Sequence, residues 1–149
     1  MRRARVTMTW GNNFRILVAD DVAEWRVGVR SILRARPEWQ VIAEVGDGLQ
    51  AVQRTAELRP DIVLLDIGMP SLNGIEAAKR IRLVSPESKI IFVTQEHDTE
   101  VRMAALATGA EQYVIKANTA SELLPAVEAA LDHPLATTLS AAEQKNRRA

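Results

Sequence analysis

The chain is expected to fold as an α/β protein, one parallel five-stranded sheet with helices on both faces. Three observations carry this. Continuous apolar runs rich in β-branched residues, such as Ile62-Val63-Leu64-Leu65 and Ile90-Ile91-Phe92-Val93, read as strands buried on both faces. Stretches with apolar residues at helical spacing alternate with those runs. The connections are short and carry Gly, Pro, Asn and Asp. Strict alternation of this kind gives a parallel sheet with right-handed crossovers.

The first strand is expected over 15–20 and the first helix over 22–36. Asp21 sits where an N-cap belongs, with Glu24 three residues on. Trp25, Val29, Ile32 and Leu33 share one helical face and are read as core, and Pro37 stops the helix. The second strand covers 40–45. Asp47 caps a helix over 49–58, which Pro60 ends. The third strand covers 61–66. Gly68, Pro70, Ser71, Asn73 and Gly74 form a turn before a helix over 75–84.

The fourth strand covers 89–94. Asp98 or Thr99 opens a fourth helix that closes at Gly109. The fifth strand covers 112–115. Thr119 and Glu122 suggest a capping box for a last helix over 119–131, with Pro125 inside it. Residues 1–14 show no period and are read as a loose leader; 15–132 form the domain; 133–149 read as a polar tail.

Composition narrows the function classes. The 149 residues are 47% hydrophobic, and 19 basic side chains balance 19 acidic ones. A neutral chain has no overall field to draw nucleic acid or an anionic membrane. Arg2, Arg3 and Arg5 make too small a patch for a nucleic-acid arm. There is no cysteine, hence no disulfide framework or thiolate metal site. No apolar stretch has the length of a membrane span, and no secretory signal is evident. The cytosol is the expected compartment. His97 and His133 are read as solvent-facing, with no metal role.

The strand ends concentrate chemistry. Ligands of an open parallel sheet bind at the carboxyl ends of its strands. Here those ends carry Asp20 and Asp21, then Asp66, Thr94 and Lys116. Three carboxylates together repel one another, and a divalent cation relieves the repulsion. All-oxygen ligands suit Mg²⁺. Asp21 and Asp66 are the expected direct ligands, Asp20 acts through water, and a backbone carbonyl of the Ile67-Gly68 turn, assigned to Gly68, completes the set. Lys116 and Thr94 then offer a charge and a hydroxyl to a phosphoryl group. Asp66, at the end of the central strand before an open turn, is the candidate nucleophile for an aspartyl phosphate. Read singly, Asp20-Asp21 is a helix cap, Thr94 a strand-end threonine and Tyr113 a core tyrosine; only the set lifts them.

In this order and spacing, Asp20-Asp21, Asp66, Thr94, Tyr113 and Lys116 resemble the receiver domain of bacterial two-component response regulators. The stretch from Pro60 to Glu76, PDIVLLDIGMPSLNGIE, is similar to the third-strand signature of its NarL/FixJ-type members. The resemblance covers about residues 15–132. It implies a flavodoxin-like fold with strand order 2-1-3-4-5. It implies that Asp66 is the phosphoacceptor, that Asp20 and Asp21 hold Mg²⁺, that Lys116 contacts the phosphoryl group, and that Thr94 and Tyr113 form a switch pair. The implied partner is a sensor histidine kinase or phosphotransfer protein. The implied output is a changed surface on the fourth helix, fifth strand and fifth helix, near Val101, Ala104, Ala105 and Leu124, with phosphorylation-enhanced homodimerisation.

Two positions depart from the family pattern. Gln95 replaces the small residue that commonly follows the switch threonine, and Ala117 replaces the proline that commonly follows the site lysine. A trans Lys116–Ala117 bond is expected, since a cis bond without proline is costly. Gly68 and Glu96 are expected to tune hydrolysis of the acyl phosphate. A phosphatase built on the same parts would need a general acid two residues past the nucleophile, and Gly68 occupies that place. The chain is expected not to be a turnover enzyme. Nucleic-acid binding is not expected unless the chain belongs to a longer protein with a helix-turn-helix domain. No membrane partner is expected.

Overall fold

Alternate side chains along each strand point to opposite faces, and the two faces build separate cores. The computed structural model describes residues 13–132. The expectations for the leader, for His133 and for the tail lie outside these residues. The elements run β1 (Phe14–Ala19), α1 (Ala23–Leu33), β2 (Trp39–Val45), α2 (Gly48–Leu58), β3 (Ile62–Leu65), α3 (Gly74–Val84), β4 (Lys89–Thr94), α4 (Thr99–Leu106), β5 (Gln112–Ile115) and α5 (Thr119–Asp132). All strand pairs are parallel and the order is β2-β1-β3-β4-β5. This is the expected flavodoxin-like arrangement, with five strands and five α-helices among the described residues.

One core joins Ile16, Val18, Ile62, Leu64, Ile91, Val93 and Val114 of the sheet to Val29 and Leu33 of α1 and to Leu123, Val127 and Ala130 of α5. The other joins Leu17, Ala19, Val63, Leu65, Ile90, Phe92 and Tyr113 to Ala51 of α2, Ala77 and Ile81 of α3, and Ala105 of α4. Burying one such large side chain contributes about 1.5–3 kcal/mol, so each face has ample driving force. Among the described residues no helix is long and apolar enough to cross a membrane.

Several local expectations are corrected. Asp21 does not cap α1. The N-cap is Val22, without a side-chain bond, and Asp20 accepts the Val22 N–H at 2.9 Å. The chain leaves β1 at Ala19, so Asp20 turns inward and Asp21 outward. α1 stops at Leu33, because Ala35 and Arg36 donate to Ile32 and Leu33, three residues back. β2 begins at Trp39, which is buried in the α1–α5 core and stacked under the Arg36 guanidinium at 5.8 Å.

α4 ends at Leu106, before Gly109; the Thr108 hydroxyl donates to the Ala105 carbonyl at 2.6 Å and closes the last turn locally. Thr119 makes no capping box, since its hydroxyl donates back to the Lys116 carbonyl at 3.0 Å. That bond joins α5 to a 3-10 turn over Lys116–Asn118. The peptide bonds of the described residues are all trans, Lys116–Ala117 included. Ala105 is fully buried and so faces the core rather than the outer surface of α4.

Candidate functional site

β1 and β3 lie side by side at the point where the sheet order reverses, which is where a crevice opens above the strand ends. Backbone ladders carry their following residues into that crevice. The Asp20 N–H donates to the Val45 carbonyl at 3.0 Å, and the Asp66 N–H donates to the Ala19 carbonyl at 3.0 Å. Both acids are buried, at 5% and 6% exposure, whereas Asp21 is exposed. One carboxylate oxygen from each of Asp20, Asp21 and Asp66 lies within 4.8 Å of the others.

Lys116 arrives from the end of β5 and is only 4% exposed. Its Nζ is 2.7 Å from Asp20 Oδ2 and 3.4 Å from Asp66 Oδ2. Burial holds the Asp66 carboxyl above its usual range, and the Asp20 charge adds to the rise; Lys116 and the Thr94 hydroxyl pull the other way without cancelling it. The second Asp66 oxygen accepts the Ile67 N–H at 2.9 Å, which fixes the carboxylate plane. Two buried carboxylates and a third at the rim share a single ammonium, so the site has spare negative charge. The donors are all oxygen. This composition fits Mg²⁺, which prefers few carboxylates, a carbonyl and retained water.

A cleft of about 240 Å³ opens beside these groups, with Asp21, Asp66, Gly68, Thr94, Glu96 and Lys116 among its walls. A side chain added at Gly68 would meet nothing within 4 Å, so the entrance beside Asp66 is clear. Thr94 is 2% exposed, and its Oγ accepts the Glu96 N–H at 3.3 Å. Tyr113 stands behind it. Its ring is buried against Phe92, its hydroxyl donates to the Glu96 carbonyl at 2.9 Å, and the Arg102 guanidinium lies 5.1 Å from the ring. Burial, then the Glu96 charge, pushes the Tyr113 hydroxyl up, so it stays a neutral donor.

Asp20, Asp21, Asp66, Gly68, Thr94 and Lys116 therefore meet in one crevice, and Tyr113 joins them through the Glu96 main chain. Three contributors escaped the sequence reading. Trp25 is not core: it is half-buried, and its ring centroid lies 4.9 Å from Lys116 Nζ. Its place in the first turn of the helix that follows Asp20 and Asp21 was the available signal. Gly74 is more than a turn residue, for a Cβ there would stand 2.0 Å from the Asp66 carbonyl oxygen. Arg26 donates to the Asp20 carbonyl and pairs with Glu44, tying α1 to β2 beneath the site; no spacing rule announces that bond.

Comparisons with known proteins point to one family. The sequence pattern of the response regulator receiver domain matches residues 16–128. The transcriptional regulatory protein DegU of Brevibacillus brevis is 35% identical over 78% of this chain and 50% of its own length. The chemotaxis protein CheY of Thermotoga maritima is 35% identical over 68% of this chain and 84% of its own length. The solved structure of a LuxR-family two-component response regulator from Aurantimonas sp. SI85-9A1 superposes with a TM-score of 0.74 at 34% identity, covering 78% of this chain and 84% of that one. The chain spans about half the length of the DegU relative and most of the CheY relative. With the acidic crevice, the switch-point position and these matches in agreement, the chain belongs to the response regulator receiver domain family, alongside receivers of NarL/FixJ type.

Proposed function

We propose that the chain is a phosphorylation-dependent switch of a two-component system in which Asp66 accepts a phosphoryl group from a histidine of a sensor kinase or a phosphotransfer protein. The observation that carries this reading is the convergence of three carboxylates within 4.8 Å beside a buried ammonium and an open cleft. Asp20, Asp21, Asp66 and the Gly68 carbonyl are the proposed holders of Mg²⁺. When bound, Mg²⁺ supplies positive charge that offsets the crowded carboxylates and the phosphoryl oxygens.

The chain's own groups do the rest. An Asp66 carboxylate oxygen attacks phosphorus, an O–P bond forms, and the donor's N–P bond breaks with the electron pair returning to the imidazole nitrogen. Lys116 and the Thr94 hydroxyl then bind phosphoryl oxygens. Drawing Thr94 toward the new dianion weakens its bond to the Glu96 N–H. The same loop carbonyl holds Tyr113, so the β4–α4 loop and the surface of α4, β5 and α5 respond together. Tyr113 already lies inward here, so the proposed movement is a resetting of its Glu96 bond. Gly68 and Glu96 flank the path of an attacking water and are the proposed tuners of the phosphoryl lifetime; equal lifetimes for Gly68→Asn, Glu96→Ala and the parent would remove that role.

Incubation with Mg²⁺ and acetyl phosphate followed by intact mass tests the centre of the proposal. One added phosphoryl group is expected in the parent and none in Asp66→Asn; an unmodified parent overturns the reading. The proposed phosphorylation-enhanced homodimer predicts a larger mass by light scattering with a beryllofluoride mimic, and an unchanged mass would count against it.

A further inference from the structure

We propose that Trp25 is a positioning residue for Lys116, its indole face forming the third wall of the seat that aims the ammonium across the cleft. The kinetic part of this inference rests on the phosphoacceptor reading above; the geometric part does not. A buried ammonium is costly unless its surroundings compensate it. Lys116 has two carboxylate neighbours, Asp20 at 2.7 Å and Asp66 at 3.4 Å, and one aromatic neighbour, the Trp25 ring at 4.9 Å. That distance lies inside the range in which a cation is attracted to an indole face.

The three neighbours differ in one respect. Both carboxylates belong to the acidic cluster, so each is claimed by another group during function: Asp20 by a divalent cation, Asp66 by a cation and then by the phosphoryl group. The indole has no charge to lose and no second task. It is the contact that persists while the other two change. α1 places it there because Trp25 lies in its first turn, just after Asp20 and Asp21, where the Lys116 ammonium also arrives.

A bland alternative is that Trp25 only caps apolar surface at the start of α1. Two variants separate these readings. Trp25→Leu keeps an apolar cover and removes the π-face; Trp25→Phe keeps a π-face. In the metal-free parent, the Lys116 ε-methylene protons should show an upfield ring-current shift by NMR, lost in Trp25→Leu and retained in Trp25→Phe. With acetyl phosphate at saturating Mg²⁺, phosphoryl incorporation should slow about two- to fivefold in Trp25→Leu and recover in Trp25→Phe. Melting temperatures of the two variants should agree. Absence of the ring-current shift in the parent, or equal incorporation rates in the two variants, would overturn the proposal. A parent that shows the shift but takes up no phosphoryl group would sink the signalling function and leave the Lys116 seat supported.

Discussion

Asp66 holds a carboxyl in a place that disfavours its charge, and that has a measurable sign. Its folded pKa lies above the ordinary value of 3.8, chiefly through burial. The folded state therefore keeps a proton that the unfolded chain releases, and stability falls as pH rises from that ordinary value through the raised one. At pH 7 in EDTA, Asp66→Asn should melt several degrees above the parent, and the gap should close as pH falls toward 4. Mg²⁺ at about one hundred times its Kd should stabilise the parent by ~2.7 kcal/mol and the variant far less, read from denaturant melts. Two glycines nearby give a sharp contrast. Gly74→Ala would drive a methyl to 2.0 Å from the Asp66 carbonyl oxygen, so a loss of about 1–3 kcal/mol or more is expected. Gly68→Ala meets nothing within 4 Å and should stay within about 0.5 kcal/mol of the parent.

Helices and strands differ in how openly the sequence announces them. β1, β3, β4 and β5 were readable because a strand covered on both faces must be apolar along its whole length, and the five polar or charged residues at their ends stood out against that background. β2 was read one residue short, because Trp39 has no apolar neighbour on its N-terminal side to mark the strand's start. Helix ends were less readable. Whether a last turn continues depends on three-residue backbone bonds, as at Ala35 and Arg36, or on a hydroxyl such as Thr108, and periodicity does not register either. Trp25 shows the deeper limit: Trp25, Val29 and Leu33 share a face, but that face passes from sheet core to the Lys116 ammonium along one helix. Capping was readable where the acceptor stood alone. Asp98 accepts the N–H groups of Glu100 and Val101 at 2.8 and 3.2 Å, so Asp98→Ala should cost about 1 kcal/mol in chemical denaturation and loosen α4 first.

Taken whole, the molecule assigns its two ends to different tasks. The carboxyl ends of the strands carry unrelieved acid, a free cleft and the β4–α4 loop. The opposite ends are bound by polar contacts that have full partners: the Arg15 N–H donates to Asp61 Oδ2 at 2.8 Å, the Ser88 hydroxyl to the Pro60 carbonyl at 2.6 Å, and Lys89 Nζ to the Ala130 carbonyl at 2.7 Å. Ser85 and Ser88 add a buried hydroxyl pair at 2.7 Å. Those contacts stitch β1, β3 and β4 to one another and β4 to α5, far from Asp66. The base of the sheet is thus cross-linked by side chains, whereas the rim opens onto the cleft. Deuterium uptake along β3 and β4 should accordingly rise from the Asp61 and Lys89 ends toward Leu65 and Thr94, and a beryllofluoride mimic should slow only the rim.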